Sequence, residues 1–293
     1  MRKGESMNEQ LTLKQAIDKY QAYIDVYGTK GYAKFTQEQA SALLAYFSAD
    51  SELAGMNLNQ AYNYIKAMQK KGLKNNTINK RLALLKRVIK HCGVNSNLND
   101  LKLLRAQFVT YGRLSAQELK QIDKILPSLK LHEQLTYLVF KDTGVRVTEL
   151  LHIKVANVRL GQRLIILEKT KTGQARSLYF TKTTANVLYR YFKAHEKDFS
   201  KSDALLFPSL KSNRERVNKL FKRIKTLSQV ERVSPHRLRH TLASDLYARG
   251  CDLLYISKLL GHCNLDTTKR YILINDDLAL SIYEKYVDQG DDE

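Results

Sequence analysis

Residues 234–244 read SPHRLRHTLAS. Ser234 followed by Pro235 is a helix start, because a serine hydroxyl caps free N–H groups of the first turn and a proline at the first helical position forfeits no hydrogen bond. From there Leu238, Leu242 and Leu246 recur every four residues and predict a buried stripe, while His236, Arg239 and Ala243 share another side. An imidazole and a guanidinium one turn apart, near a helix N-terminus with its partial positive charge, suit an anion such as phosphate, and the small Ala243 is expected to leave room for it. By itself an H-x-x-R is far more often a capping histidine and a surface arginine.

On either side of this helix the punctuation is helical. Gly250 and Gly261 are predicted C-terminal stops, and Asp252 and Asp266 N-caps. A final helix is expected over 276–288, opened by Asp276 or Asp277, with Leu278, Ile282 and Tyr286 on one side and an acidic end at Asp288, Asp291, Asp292 and Glu293. Upstream, Ser115 with Glu118 three residues later forms a capping box, and helices are expected from there to about residue 156. Between them QRLIILE (162–168) and RSLYF (176–180) are two short β-type runs joined by KTKTGQA, a hairpin with a glycine-containing turn. The fold class is therefore mainly α with a small antiparallel sheet.

The first third is helical throughout. Apolar residues keep helical spacing over 11–92, interrupted at YGTKG (27–31), SADSE (48–52) and KGLKNN (71–76). Its last helix, TINKRLALLKRVIKH (77–91), sets Ile78, Leu82, Leu85 and Ile89 on one stripe and Lys80, Lys86, Arg87 and Lys90 opposite, so it can pack inward and face phosphate outward. The pattern loosens in VNSNLNDLK. This predicts a helical domain over 8–96, a linker over 97–111 and a second domain over 112–293. The opening MRKGES carries no apolar pattern and stays outside this division.

Charge names a class of partner. Lys and Arg number 49 against 29 Asp and Glu in 293 residues, a net charge of +20. The excess is spread over the chain, +9 on residues 1–111 and +11 on 112–293, so both halves are expected to meet one polyanion, nucleic acid first. Cys92, Cys251 and Cys263 form no C-x-x-C pair, which argues against a zinc module or a disulfide framework and for a reducing cytosol; the DNA partner expected from the charge places the chain there at the bacterial nucleoid. No apolar run approaches the roughly 20 residues needed to span a bilayer, so no membrane partner is expected.

HRLRH keeps particular company. DTGVRVTELLHIK (142–154), KTKTGQARSLYF (169–180) and LLGHCNLDTTKRY (259–271) surround it in that order, and together they resemble the tyrosine recombinase (phage integrase) family, in its Xer-like or transposon-resolvase-like members. The resemblance is dense over the second half and extends to TINKRLALLKR, which is similar to the helical core-binding domain of that family. It implies a two-domain C-shaped DNA clamp with six side chains around one scissile phosphate: Arg146, Lys171, His236, Arg239, His262 and Tyr271. Arg146 and Arg239 would grip the non-bridging oxygens, Lys171 (with Lys169 as its rival) would protonate the leaving 5′ oxygen, and His262 would bond a phosphate oxygen. Tyr271 would attack to give a 3′-phosphotyrosine, with His236 taking its proton. Glu149 and His240 would support the others from behind, Glu149 by orienting a guanidinium.

The resemblance further implies strand exchange through a Holliday junction on a tetramer bound to two duplexes, with the C-terminal helix passed between subunits. No cofactor and no metal are expected, since the chain shows no carboxylate cluster or H-x-H set of a metal nuclease. Two other readings stay open on the residues alone: a non-cleaving DNA-binding protein of the same fold, and strand relaxation of the type IB topoisomerase kind.

Overall fold

The computed structural model describes residues 11–105, 112–168, 175–196, 199, 203–210 and 213–261. The chain divides into two compact units, Met1–Val109 and Thr110–Glu293.

The first unit is built from α1 (Leu13–Tyr27), α2 (Lys30–Leu44), α3 (Leu58–Lys70) and α4 (Asn75–His91). Local chemistry sets the starts of α1 and α3. Thr12 with Gln15 and Asn57 with Gln60 form reciprocal capping boxes that satisfy N–H groups a helix start would otherwise orphan. On α4 the stripe Ile78, Leu82, Leu85 and Ile89 is fully buried, and Leu84 and Val88 widen the buried face beyond it. Each such side chain contributes roughly 1.5–3 kcal/mol by leaving water.

The opposite face of α4 is less uniform than its sequence suggested. Lys80, Arg87 and Lys90 are exposed. Arg87 nevertheless donates to the Tyr32 hydroxyl at 2.7 Å, and Lys86 is half-buried with its ammonium donating to the Leu101 carbonyl at 3.0 Å. Lys86 therefore ties down chain within its own unit, a contact its place on the basic face could not reveal. The stretch predicted as linker begins in the same packing: Leu98 and Leu101 are buried in the first unit's core, and Asn79 brackets Leu104 with bonds to both its N–H and its carbonyl.

The second unit contains α5 (Ala116–Ile125), α6 (Leu131–Thr143), the one-turn α7 (Val147–Leu150), α8 (Lys182–Ala194), α9 (Arg214–Ser228), α10 (Pro235–Ala248) and α11 (Leu253–Leu260). The Ser115–Glu118 capping box opens α5. The predicted hairpin is β2 (Leu164–Leu167) against β3 (Arg176–Tyr179), antiparallel, with Ile165 opposite Leu178. A two-residue strand, β1 (Val158–Arg159), adds a third member on the β2 edge.

At its start α10 follows its sequence: Ser234 caps it and Pro235 occupies the first turn. Its burial does not follow the expected stripe. Leu238, Arg239, His240 and Thr241 are buried in succession, while Leu242 and Leu246 are only half-buried. The reason is that α10 packs against both α6 and α11. Ala243 is fully buried against Ile256 and Leu260, so its smallness admits α11 and leaves no space for a ligand. Among the described residues no helix is long and apolar enough to cross a membrane.

Two glycines end helices beside this packing. Gly144 closes α6 and Gly261 closes α11, both left-handed, with φ of 58° and 66°. A Cβ on Gly144 would lie 2.9 Å from Leu260 Cδ2 and 3.2 Å from Leu242 Cδ2. Gly144→Ala should therefore destabilise the second unit by at least the ~1–2 kcal/mol cost of a left-handed alanine, read as a lower urea midpoint in denaturation; an unchanged midpoint would refute the assigned turn.

Candidate active site

Arg146 follows Gly144 by two residues and stands at the N-cap of α7. One turn on, Glu149 reaches back to accept from the Arg146 backbone N–H at 2.9 Å and from its Nη1 at 3.0 Å. Nη2 of Arg146 donates to the Gly261 carbonyl at 2.8 Å. The side chain remains about one-third exposed, so the guanidinium is held by the protein on one edge and open on another.

Arg239, in the second turn of α10, reaches the same place from below. It is 3% exposed, and its Nη1 and Nη2 donate at 2.6 Å to the carbonyls of Gly144 and Leu260. Both arginines thus lean on the last turn of α11, and Arg239 also on the end of α6. Helix C-termini carry partial negative charge and orphan carbonyls, which stabilises guanidinium groups brought together there. The fork of an arginine suits this task because two nitrogens serve two acceptors at once.

His236 sits one turn before Arg239 with part of its surface open to solvent. The protein crowding its ring, followed by the charges of Arg239, Arg237 and Arg146, pushes its pKa below the ordinary 6.5. Burial and the three cations act in the same direction, both disfavouring the protonated ring. His240, buried one turn deeper, meets His236 edge to face with centroids 5.0 Å apart.

Glu149 is the buried anion of the site. Burial raises its pKa, but hydrogen bonds from Arg176 and the Arg146 N–H, with the charges of both arginines, outweigh this and hold the carboxyl below its usual range. Its stronger partner is Arg176, whose Nη1 and Nη2 meet the two carboxylate oxygens at 3.0 and 2.6 Å. The sequence motifs do not single out Arg176. Its only sequence signal is a cation opening a β-strand whose neighbours are apolar, which turns a solvated charge into one that needs an internal partner.

The described residues thus bring Arg146, His236, Arg239, Glu149 and His240 into one locality, all in the second unit. Lys80, Lys86, Arg87 and Lys90 belong to α4 of the first unit. Lys171, its rival Lys169, His262, Tyr271 and the predicted helix 276–288 lie outside the described residues. In sequence His262 follows Gly261, the residue whose carbonyl Arg146 holds. Among the described residues no group of His, Cys, Asp or Glu is arranged to hold a metal ion.

Residues 112–277, more than half of the chain, match the phage integrase family. The chain belongs to that family. It is accordingly a DNA breaking-and-rejoining enzyme, a site-specific tyrosine recombinase. Tyrosine recombinase XerA of Pyrococcus furiosus is 23% identical over 270 residues, covering 90% of this chain and 91% of that protein. The solved integrase of transposon Tn1549, in complex with transposon right end DNA, shares the integrase fold at a TM-score of 0.73 and 18% identity, covering 94% of this chain and 99% of that one. A lambda integrase tetramer bound to a Holliday junction matches at 0.71 and 16% identity, over 93% and 82% of the two chains. The arginine and histidine pocket described above lies wholly inside the matched integrase region.

Proposed function

We propose that Arg146, His236 and Arg239 form the wall that holds the scissile phosphate, that Tyr271 attacks it to form a 3′-phosphotyrosine, and that Lys171 and His262 complete the pocket. The observation that carries this reading is the meeting of Arg146 and Arg239 on the Leu260–Gly261 end of α11. Charge that develops on the non-bridging oxygens during attack finds guanidinium groups already oriented by protein carbonyls, so little reorganisation is needed at the transition state. The phenol of Tyr271, with an ordinary pKa near ~10, needs a proton acceptor, and a neutral His236 in a positive field serves. Lys171 would give its proton to the departing 5′ oxygen. Because the bond energy is kept in the phosphotyrosine, a partner strand's 5′ hydroxyl can reverse the step and exchange strands without ATP.

The decisive experiment incubates the protein with nicked duplexes that release, on cleavage, a short fragment bearing a free 5′ hydroxyl. A covalent protein–DNA adduct, formed equally well in EDTA, supports the reading; DNA bound without adduct would leave a non-cleaving protein of the same fold. Exchange between two duplexes, rather than relaxation of one supercoiled circle, separates recombination from topoisomerase action.

The depressed pKa of His236 fixes a pH prediction. A base that is neutral in the folded site loses function only when protonated, so the acid limb of single-turnover cleavage should have its half-maximal point below pH 6.5. The limb should vanish in His236→Asn. A half-maximal point at or above pH 6.5 that disappears with His236 would contradict the assignment.

The clamp and the assembly belong to the same proposal. Net charges of +9 and +11 on residues 1–111 and 112–293 support two units closing on one duplex, with Lys80, Arg87 and Lys90 offered to phosphate. The lambda integrase tetramer supports a tetramer on a junction. The apolar stripe and acidic end of 276–293 support docking of that segment on a basic neighbouring subunit. Removing residues 276–293 should weaken tetramer formation, followed by analytical ultracentrifugation, well before single-site DNA binding; equal loss of both would count against docking between subunits.

A further inference from the structure

Arg176 touches two parts of the site at once. It opens β3, five residues after Lys171 in sequence. Its guanidinium pairs in parallel with both oxygens of Glu149, each partner about nine-tenths buried. Its flat face lies against Gly261: a Cβ there would stand 2.8 Å from Arg176 Cζ, so the glycine is required by the arginine as well as by its left-handed φ.

Each of these contacts leads to Arg146. Glu149 accepts from both the backbone and the side chain of Arg146, and the Gly261 carbonyl accepts its Nη2. A carboxylate bound to Arg146 alone could rotate about its own side-chain torsions. Held also in a parallel pair from β3, it offers Arg146 one fixed oxygen and keeps the charge that makes the bond strong. β3 and α11 are in contact, so the same guanidinium sets the distance between the sheet and the Gly261 stop.

From this we infer that Arg176 is a positioning residue for cleavage: through Glu149 and Gly261 it fixes the guanidinium of Arg146. The inference rests on the phosphate-holding role proposed above for Arg146. Arg176 touches no reacting atom in this scheme; it acts by preorganising one that does, and a displacement of about 1 Å in such a group costs on the order of 100-fold in rate.

The test uses the full chain and nicked duplexes recovered from a randomised pool by covalent capture on the wild-type protein. Arg176→Lys keeps the charge but not the parallel pair. We expect single-turnover cleavage to fall about 100-fold, with DNA affinity and melting temperature near wild type. In the DNA-free protein the Glu149 carboxyl ¹³C signal should titrate at higher pH than in wild type. A second variant, Arg176→Met with Glu149→Gln, removes both buried charges together and should fold while cleaving as slowly.

Four outcomes decide the matter. Wild type that captures no DNA overturns the phosphate reading and this inference together. Wild type that cleaves, with either variant cleaving at its rate, overturns the inference alone. So does parallel loss of melting temperature, affinity and cleavage in both variants, the mark of a merely structural ion pair. An unmoved Glu149 titration in Arg176→Lys refutes the proposed hold on the carboxylate.

Discussion

Tyr271→Phe should bind DNA as wild type does and yield no covalent adduct. The substitution removes one oxygen from a phenyl ring. If that oxygen is the nucleophile, no bond from residue 271 to phosphorus can form. Affinity, by contrast, comes from many phosphate contacts across a chain of net charge +20, and the loss of one hydroxyl should change it by about twofold or less, ~0.4 kcal/mol. The measurement is a denaturing gel of the wild-type and variant proteins with nicked duplex, beside a binding titration at fixed salt. A phenylalanine variant that still becomes attached to DNA would move the nucleophile to another residue. The chain has 17 tyrosines, so peptide mapping of the attached fragment is part of the test.

Arg239→Lys should cost cleavage about 100- to 1000-fold, the usual loss when one preorganised donor at developing negative charge is removed. The structure explains why the charge alone does not suffice. Two separate nitrogens of Arg239 serve the Gly144 and Leu260 carbonyls, and a lysine ammonium on a single stem cannot hold both ends while facing a phosphate. The carbonyl left behind is buried, so stability should also fall, by roughly 1–3 kcal/mol. The two effects are separable by quenched-flow cleavage at saturating DNA against urea denaturation of the free protein. A lysine variant within tenfold of wild type in cleavage would remove Arg239 from the phosphate wall, whatever its effect on folding.

These two experiments also separate the parts of the site that were legible at different levels. Arg146, His236 and Arg239 could be singled out from motif and order along the chain, yet nothing in that order says that Arg146 and Arg239 share the last turn of α11. Glu149 was assigned a guanidinium to orient, and its spacing of three from Arg146 made that pairing local. Its bond to Arg176 spans 27 positions and depends on how β3 sits beside α7, which no periodicity encodes.

What the sequence determined by itself is local. Ser115, Ser234 with Pro235, Asp252 and Gly261 start or stop helices because each satisfies, or fails to satisfy, backbone groups within four residues of itself, and that chemistry needs no tertiary partner. The tertiary structure decided which polar groups had to be paired. Only packing on two sides could make Arg239 and His240 buried on a helix with a single apolar stripe, draw Lys86 onto the Leu101 carbonyl, and turn Arg176 inward to a carboxylate. A charge taken out of water must find its partner wherever the fold brings one, and that distance is set by the whole chain rather than by its neighbours in sequence.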